Sequence, residues 1–269
     1  MKMETEFLSA YEKATESGVL DPRCIPQHLG TDVPIGEEIK TPNYTESEHL
    51  TWKSLYQRQE KILPHRACDA FLNGVHTLEM SSESIPSLRE LSRKLDSMTG
   101  WKVARVPGLL HEKDFFELLS ERIFPSTDYI RGDNELKYTP APDCFHDIFG
   151  HMPMLTNPDF ADFYQHFGKV ALHAMGHQRV ALERLHWFTV EFGLIRSENG
   201  LRIFGSGILS SAEEVEHSLS NSVIVKPFET KGITSQDYDV WHLQPILFAI
   251  DSFEQLKQGF QNWAFNEKL

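Results

Sequence analysis

The chain has 269 residues, of which 40% are hydrophobic and 24% charged, so it can bury a large core in one domain or two. The formal net charge of -13 argues against a nucleic-acid-binding protein, whose binding surface is basic. No window approaches the roughly 20 consecutive apolar residues that span a bilayer, and the first residues lack the apolar core of a signal peptide. Three widely spaced cysteines predict no disulfide framework. We therefore expect a cytoplasmic protein without a membrane or nucleic-acid partner.

Turn signals dominate the start of the chain, where Pro and Gly recur through "DPRC", "IPQHLG", "DVPIG" and "TPNY". They predict an irregular lead-in segment over residues 1–45, followed by a single domain over residues 46–269. Capping patterns predict helices that begin after Thr45, Ser211 and Ser252. A further helix is expected from Pro86 to Gly100.

Two other segments have the apolar pattern of helices, "KDFFELLSERIF" and the long "HQRVALERLHWFTVEFGLI". Candidate strands are few and short, and they are "WKVARV", "TDYIR", "LRIFGSG", "SVIVKPF" and "PILFAI". The sequence therefore predicts a mainly α fold of the α+β class, a helical domain with short β-strands.

The stretch "PDCFHDIFGHMPML" places His146 and His151 five residues apart. In a regular helix these positions lie roughly 140° apart, which is poor for two ligands of one ion. Gly150 and Pro153 predict that the helix ends here, so that the chain turns and re-aims the His151 ring. Exposed histidines at a helix end, or a buried pair bonded to backbone carbonyls, are the alternatives without a metal.

A third ligand is needed, and the best candidate is Glu191, a lone carboxylate among apolar residues in "HWFTVEFGL". Two histidines and one carboxylate match the facial triad of non-haem Fe(II) oxygenases, but they also suit a hydrolytic zinc site. The HExxH pairing of many zinc hydrolases is missing, although Asp147 follows His146. The ligand set alone leaves both enzyme classes open, together with a binding protein that has no catalytic activity.

The blocks "YTPAPDCFHDIFGHMPML", "WFTVEFGL" and "GSGILSS" resemble the catalytic domain of the pterin-dependent aromatic amino acid hydroxylases. The resemblance runs in order from about Trp101 to Phe253, and the chain length is similar to that of compact bacterial phenylalanine 4-hydroxylases. It implies conversion of L-phenylalanine to L-tyrosine by O₂ and a tetrahydropterin at a non-haem Fe(II). It also implies that no regulatory or tetramerisation domain is present, so we expect a monomer or small homo-oligomer.

Carried over by position, the resemblance makes His146, His151 and Glu191 the iron ligands and the catalytic centre. Arg131 would hold the carboxylate of the amino acid substrate, with Asp143 orienting its guanidinium. The other residues expected around the substrate are Thr139, Trp187, Gly207, Ser210 and Val240. Gly207 would permit close approach of backbone to substrate. An apolar Val240, where the tyrosine branch carries an aspartate, favours phenylalanine as substrate.

For the pterin, "VPGLLHEKDFF" matches the cofactor loop of the family. Phe115 would stack on the pterin ring, the backbone of Gly108, Leu109 and Leu110 would bond its edge, and Asp147 would lie nearby. Three features depart from the family pattern: His186 replaces a common tyrosine, Ala141 replaces a common glutamate, and "FGKVALHAMGHQRVALERL" matches no family block. His173 and His177 in that last segment are expected on the surface.

Overall fold

The computed structural model describes residues 21–30, 33–132, 135–136, 139 and 141–269. The α-helices in this part of the chain are α1 (Glu46–Ile62), α2 (Asp69–Thr77), α3 (Leu88–Thr99), α4 (Glu112–Ser120), α5 (Pro158–Ala171), α6 (His177–His186), α7 (Ser206–Leu209), α8 (Ala212–Ser218), α9 (Thr230–Thr234) and α10 (Phe253–Glu267). The strands are β1 (Lys102–Val106), β2 (Ile123–Thr127), β3 (Leu194–Ser197), β4 (Gly200–Ile203), β5 (Ile224–Pro227) and β6 (Ile246–Ile250). This mainly helical α+β fold confirms the predicted class.

The strands form two small sheets. β1 and β2 pair in parallel, with Lys102 opposite Ile123. The other four strands lie in the order β4-β3-β6-β5, in which β3 and β4 are antiparallel and β6 is parallel to both of its neighbours. A large hydrophobic core joins the helices to both sheets. A smaller cluster of Ala104, Val106 and Leu110 packs against Leu29, Val33 and Ile35 from the N-terminal segment.

Most predicted helix starts are present. Thr45 and Glu48 form a reciprocal capping box, and the hydroxyls of Ser211 and Ser252 accept the expected backbone N–H groups. Gly100 ends α3 in the left-handed region with φ of 73°. Pro86 precedes the helix that it was expected to open, because Ser87 caps α3 and Leu88 is its first residue.

The predicted strand over "TDYIR" is wrong, since β2 ends at Thr127 and begins four residues before it, at Ile123. The predicted helix over "KDFFELLSERIF" is too long for the same reason. α4 stops at Ser120, Arg122 takes a φ of 57°, and the chain then runs alongside β1. Pro125 argues against a strand in the sequence, because proline has no N–H to donate. β2 has a partner strand on one side only, where such a residue is tolerated.

The long predicted helix over "HQRVALERLHWFTVEFGLI" is helical from His177 to Glu191 and then changes to strand β3 at Leu194. The change occurs at Gly193, a position where no side chain fits. A Cβ on this residue would lie 2.2 Å from the Phe204 ring and 2.3 Å from the Thr189 carbonyl oxygen. Pairing of β3 with β4 and β6 therefore overrides the helical pattern of the last residues. A helix that was not predicted, α5, occupies Pro158–Ala171.

Residues 21–30 and 33–45 contain two short 3₁₀ turns, Pro22–Cys24 and Gly36–Glu38, and otherwise extended or irregular backbone. Residues 1–20 of the predicted lead-in lie outside the described part of the chain. All three cysteines are buried. Among the described residues, no helix has both the length and the apolarity needed to cross a bilayer. His173 and His177 are exposed, as expected.

α4 follows the predicted pterin loop and packs against α5 through a glycine contact. A Cβ on Gly168 would lie 2.6 Å from the Ser120 backbone nitrogen and 2.8 Å from the Leu119 Cβ. Both atoms belong to α4 and neither can move without the helix. The position of α4 therefore depends on the absence of a side chain at residue 168.

We expect Gly168→Ala to lower the free energy of unfolding by about 1–3 kcal/mol, because the added methyl group overpacks a rigid contact. Gly232→Ala is the matched control, since its Cβ would make only ordinary contacts, 3.6 Å from the Phe248 ring and 3.9 Å from the Glu229 Cβ. Denaturant unfolding of both variants checks the difference. Equal stability of the two variants would contradict the close-packing argument.

Candidate active site

Two π-helical segments carry the three predicted metal ligands, His146–His151 and Trp187–Glu191. Hydrogen bonds in a π-helix join residues five apart, so His146 and His151 come to lie on one face. The π-helical segment ends at His151, where the sequence predicted a helix end, but no left-handed residue turns the chain there. The backbone stays helical through Met152 and Pro153, and Gly150 has no left-handed conformation. The wider turn, rather than a break, brings the two rings together.

The donor atoms of the three residues converge. His146 Nε2 lies 3.1 Å from His151 Nε2 and 3.6 Å from Glu191 Oε2, and His151 Nε2 lies 3.2 Å from Glu191 Oε1. These separations suit adjacent ligands of one ion bound at about 2.0–2.2 Å. Two ring nitrogens that face each other this closely are best accommodated by a cation between them. The residues therefore fit a metal ion.

Two serines of α7 and its C-terminal end orient these ligands. The Ser210 hydroxyl lies 2.9 Å from His146 Nδ1 and donates its own proton to the Ser206 carbonyl oxygen at 2.9 Å. The proton between Ser210 and the ring therefore belongs to His146 Nδ1, which leaves the Nε2 lone pair for a metal. The Ser206 hydroxyl donates to Glu191 Oε2 at 2.8 Å.

Glycines let α7 approach both π-helical segments. A Cβ on Gly150 would lie 2.9 Å from the Ser206 carbonyl oxygen, and one on Gly205 would lie 2.4 Å from the Glu191 carbonyl oxygen. Gly207 is placed in the same way, 3.1 Å from the Glu191 carbonyl oxygen. Whatever else Gly207 contacts, its small size is already required for this packing.

The protonation states suit metal binding. Burial lowers the pKa of His146 to about 4, so the ring is neutral and its nitrogen free at neutral pH. For Glu191, burial raises the pKa, but the neighbouring histidines and the hydrogen bond with His151 outweigh that effect and hold it below its usual range. The triad thus presents a neutral His146 ring and an ionised Glu191 carboxylate.

The triad opens on a cavity of about 570 Å³, a size typical of small-molecule sites. All but one of the predicted site residues line this cavity. They are the ligands His146, His151 and Glu191, the substrate residues Arg131, Thr139, Trp187, Gly207, Ser210 and Val240, and the pterin residues Gly108, Leu109, Leu110, Phe115 and Asp147. The exception is Asp143, which is fully buried behind Arg131.

Arg131 and Asp143 form a buried bidentate ion pair. Arg131 Nε and Nη2 each donate to the carboxylate of Asp143 at 2.8 Å. The same carboxylate also accepts the backbone N–H groups of Arg131 and His146. Burial raises the pKa of Asp143, but the Arg131 guanidinium outweighs it, and the net shift is downward. Asp143 thus fixes the Arg131 guanidinium and connects it to His146, the first of the predicted metal ligands.

Trp187 forms the centre of a three-ring stack, with Phe192 and Tyr238 each at a centroid distance of 4.5 Å. This stack holds the Trp187 ring rigidly in the cavity wall. Val240 lines the same cavity from the loop that follows Tyr238. Thr139, the last of the predicted substrate residues on this side, donates from its hydroxyl to the Ala141 carbonyl oxygen at 3.0 Å.

On the pterin side, the predicted cofactor loop around Gly108–Leu110 is held in place by Gln27 of the N-terminal segment. Gln27 donates its N–H to the Leu109 carbonyl oxygen and accepts the His111 N–H, both at 2.9 Å. Nothing lies within 4 Å of the position of a Cβ on Gly108, so there is space beside this backbone. Asp147 is buried and accepts the Thr127 N–H at 2.8 Å, and burial raises its pKa.

His186, which departs from the family pattern, lies next to the triad. Its Nδ1 is 3.9 Å from Glu191 Oε1, its Nε2 is 3.1 Å from the Tyr164 hydroxyl, and its ring meets the Phe115 ring edge-to-face. Burial lowers the pKa of His186 to about 4. A neutral imidazole therefore connects the metal carboxylate with the predicted pterin-stacking ring.

Glu214 is a cavity residue that the sequence analysis missed as part of the site. The pattern from Ser211 to Glu214 indicated only a helix cap, and Ser211 does accept the Glu214 N–H. The side chain of Glu214, however, lines the cavity. Burial, with the nearby charge of Glu213, raises its pKa to about 7. A glutamate among ordinary helix-cap residues gives no signal of this in the sequence.

A triad of two histidines and one carboxylate, open to a cavity within a mainly helical domain, defines a non-haem metal enzyme. Comparison with known proteins gives the family. The chain matches the biopterin-dependent aromatic amino acid hydroxylase family over residues 20–268. The chain therefore belongs to that family, as the sequence blocks predicted.

Its relatives include the phenylalanine-4-hydroxylase of Pseudomonas aeruginosa, 44% identical over 80% of this chain and 82% of the relative. The phenylalanine-4-hydroxylase of Ralstonia nicotianae is 46% identical over 79% of this chain and 69% of the relative. The phenylalanine hydroxylase of Chromobacterium violaceum, solved with iron(III) and 7,8-dihydrobiopterin, superposes with a TM-score of 0.81. It is 42% identical and covers 85% of each chain.

Ser210→Ala should weaken Fe(II) binding about 10- to 100-fold, because His146 loses the partner that fixes its tautomer. Anaerobic competition with a chelator measures the affinity. Ser220→Ala, which removes an exposed hydroxyl far along the chain from the triad, is the control and should bind iron as the wild type does. An unchanged affinity in Ser210→Ala would show that the serine does not orient the ligand.

Glu214 should make stability pH-dependent. Its pKa of about 7 in the folded chain lies above the ordinary 4.5, so the folded state binds the proton more tightly than the unfolded state. The resulting stabilisation is complete at acid pH and is lost as the pH rises through about 7. The melting temperature of Glu214→Gln should therefore fall less than that of the wild type between about pH 5 and pH 8. Glu216→Gln, an exposed change on the same helix, should behave like the wild type.

Proposed function

We propose that the protein is a phenylalanine 4-monooxygenase, which converts L-phenylalanine to L-tyrosine with O₂ and a tetrahydropterin at a non-haem Fe(II). The observation that carries this proposal is the juxtaposition, in one cavity, of the converging triad and the cation fixed by Asp143. An amino acid bound through its carboxylate to Arg131 would place its side chain in the cavity that the triad also lines. Sequence relatives named as phenylalanine-4-hydroxylases support the choice of substrate.

Arg131 is the proposed carboxylate-binding residue. A guanidinium has five N–H donors, and Asp143 takes one from Nε and one from Nη2. Three donors remain on Nη1 and Nη2, enough for a bidentate contact with a carboxylate. Because Asp143 holds the fork before substrate arrives, little side-chain entropy is lost on binding. Thr139 and Ser210 place hydroxyl groups in the same cavity wall.

The aromatic ring of the substrate is proposed to pack against Trp187 and Val240. Trp187 is held between two other rings, so it offers a fixed apolar surface. Val240 has no polar atom to pair with a ring hydroxyl, and a buried hydroxyl without a partner is costly. This wall therefore favours phenylalanine over tyrosine as the bound amino acid.

The tetrahydropterin is proposed to lie between the Gly108–Leu110 backbone and the Phe115 ring, near Asp147. Space beside Gly108 and an aromatic ring in the cavity wall suit a flat heterocycle. When bound, iron and reduced pterin together supply the electrons that activate O₂. The protein contributes placement, the ligand side chains and apolar walls that exclude water from the reacting atoms.

The remaining predictions concern the surroundings of the enzyme. A single catalytic domain over residues 46–269, a cytoplasmic location, and a monomer or small homo-oligomer stay predictions of the sequence. Phenylalanine and reduced pterin are the proposed small-molecule partners. Gel filtration and light scattering of the purified protein would measure the oligomeric state directly.

The function is tested by measuring tyrosine formed from phenylalanine in air, with Fe(II) and with or without tetrahydropterin. Product is expected only when both are present, and zinc in place of iron should give none. Glu191→Gln should bind iron poorly and form no tyrosine. Normal turnover by that variant would show that Glu191 is not a ligand. Absence of product from iron-loaded wild-type protein would refute the proposed activity.

Arg131→Lys separates substrate binding from metal binding. Loss of the bidentate fork should raise KM for phenylalanine about 10- to 100-fold, the worth of a charged hydrogen bond, while iron content stays unchanged. Arg89→Lys, at an exposed position of α3, is the control and should leave KM as it is. An unchanged KM in Arg131→Lys would remove Arg131 from the substrate site.

A further inference from the structure

A second group of side chains that could bind a metal lies outside the triad, beside the predicted pterin loop, although one member also lines the cavity. It consists of His28, His111 and Asp114, which we call the outer cluster. One ring nitrogen of each histidine and one carboxylate oxygen of Asp114 lie within 4.8 Å of one another. None of these residues has a role in the proposed reaction. Its histidines come from two segments that are far apart in the chain.

The geometry of the outer cluster is close to that of a bound site. His28 Nδ1 lies 2.9 Å from Asp114 Oδ2, the separation expected of two adjacent ligands held about 2.1 Å from one ion. The His28 and His111 rings stack with a centroid distance of 4.3 Å and an interplanar angle of 28°. Small side-chain rotations, without backbone movement, would bring the three donor atoms around a single cation.

Backbone contacts hold the two segments in register. Gln27 bonds to Leu109 and His111, and the Leu29 N–H donates to Asp114 Oδ2 at 2.9 Å. These bonds fix the Cα positions of the cluster before any ion arrives. The Asp114 side chain is 18% exposed and that of His28 72% exposed. The site is therefore anchored on the Asp114 side and open to solvent on the His28 side.

Asp114 is ionised at neutral pH. Burial raises its pKa, but the Leu29 N–H and His28 outweigh burial, and the net shift is downward. His111 also caps α4, since its Nδ1 accepts the Lys113 N–H in a long contact of 3.3 Å. The net charge of -13 further favours a cation over an anion at this surface.

We propose that the outer cluster binds a divalent transition-metal ion of the zinc type, separate from the iron of the triad. Two imidazoles and one carboxylate suit Zn²⁺ or Co²⁺ and not Mg²⁺ or Ca²⁺, which prefer all-oxygen sites. Water would complete the coordination on the exposed side. The bound ion would join the segment around Gln27 to the loop that follows β1. It would thus stabilise the backbone of Gly108–Leu110, independently of whether that loop binds a pterin.

The proposal is tested by titrating metal-free wild-type protein with Co²⁺ and following its visible absorption and binding stoichiometry. Two equivalents are expected for the wild type and one for His28→Ala, whose exposed change leaves the fold intact by circular dichroism. His173→Ala removes an exposed histidine elsewhere and should still bind two equivalents. One equivalent in the wild type, or two in His28→Ala, would overturn the proposal.

A second measurement identifies the site without relying on that variant. Glu191→Gln, which weakens the triad, should retain one Co²⁺ equivalent, and the double variant with Asp114→Asn should bind none. Excess Zn²⁺ should raise the melting temperature of Glu191→Gln and leave the double variant unchanged. A Zn²⁺-dependent rise of equal size in both would place the metal elsewhere and overturn the assignment.

Discussion

The active site depends on the contact of α7 with two π-helical segments that are 35 or more residues apart in the chain. The three donor atoms must meet within about 4 Å, yet the two segments that carry them are distant in the sequence and must be brought together by packing. α7 is adjacent to both because Gly150 and Gly205 leave no side chain in the way. Ser206 and Ser210 then bond one ligand from each segment. A bulkier residue at Gly150 or Gly205 would move α7 away from one of the two segments. The donor atoms would then separate even though each ligand side chain is unchanged.

The same region carries several buried charges, and their arrangement follows from the cost of leaving a charge without a partner. Asp143 is fully buried and is compensated by Arg131 and two backbone N–H groups. Glu191 is compensated by contacts with His151 and Ser206. His146 and His186 avoid the cost by staying neutral. The site is thus organised so that both a cation at the triad and an anion at Arg131 find complementary groups already in place.

Much of this could be predicted from sequence, but for different reasons in different places. Helix caps such as Thr45 and the left-handed Gly100 are local, and they are present where the pattern put them. The ligands and cavity residues came from the family blocks. The π-helical turns could not be predicted, because a spacing of five indicates nothing until the hydrogen-bond pattern is known. β2 and Glu214 were missed since each is defined by a distant partner, a neighbouring strand for one and the cavity for the other.

The segment from Asp21 to Gly30 shows how an irregular sequence can still be structurally specific. Its turn residues predict neither helix nor strand, and its backbone groups bond partly within the segment and partly to Leu109, His111 and Asp114. Gln27 bonds to Leu109 and His111 in the loop after β1, and the Arg23 guanidinium donates to the Glu135 carboxylate. The segment therefore supports the loop after β1 from outside and is joined to Glu135 by an ion pair. Because much of the support comes from backbone bonds and charged side chains, with Leu29 as one apolar contact, no periodic pattern in the sequence reveals it.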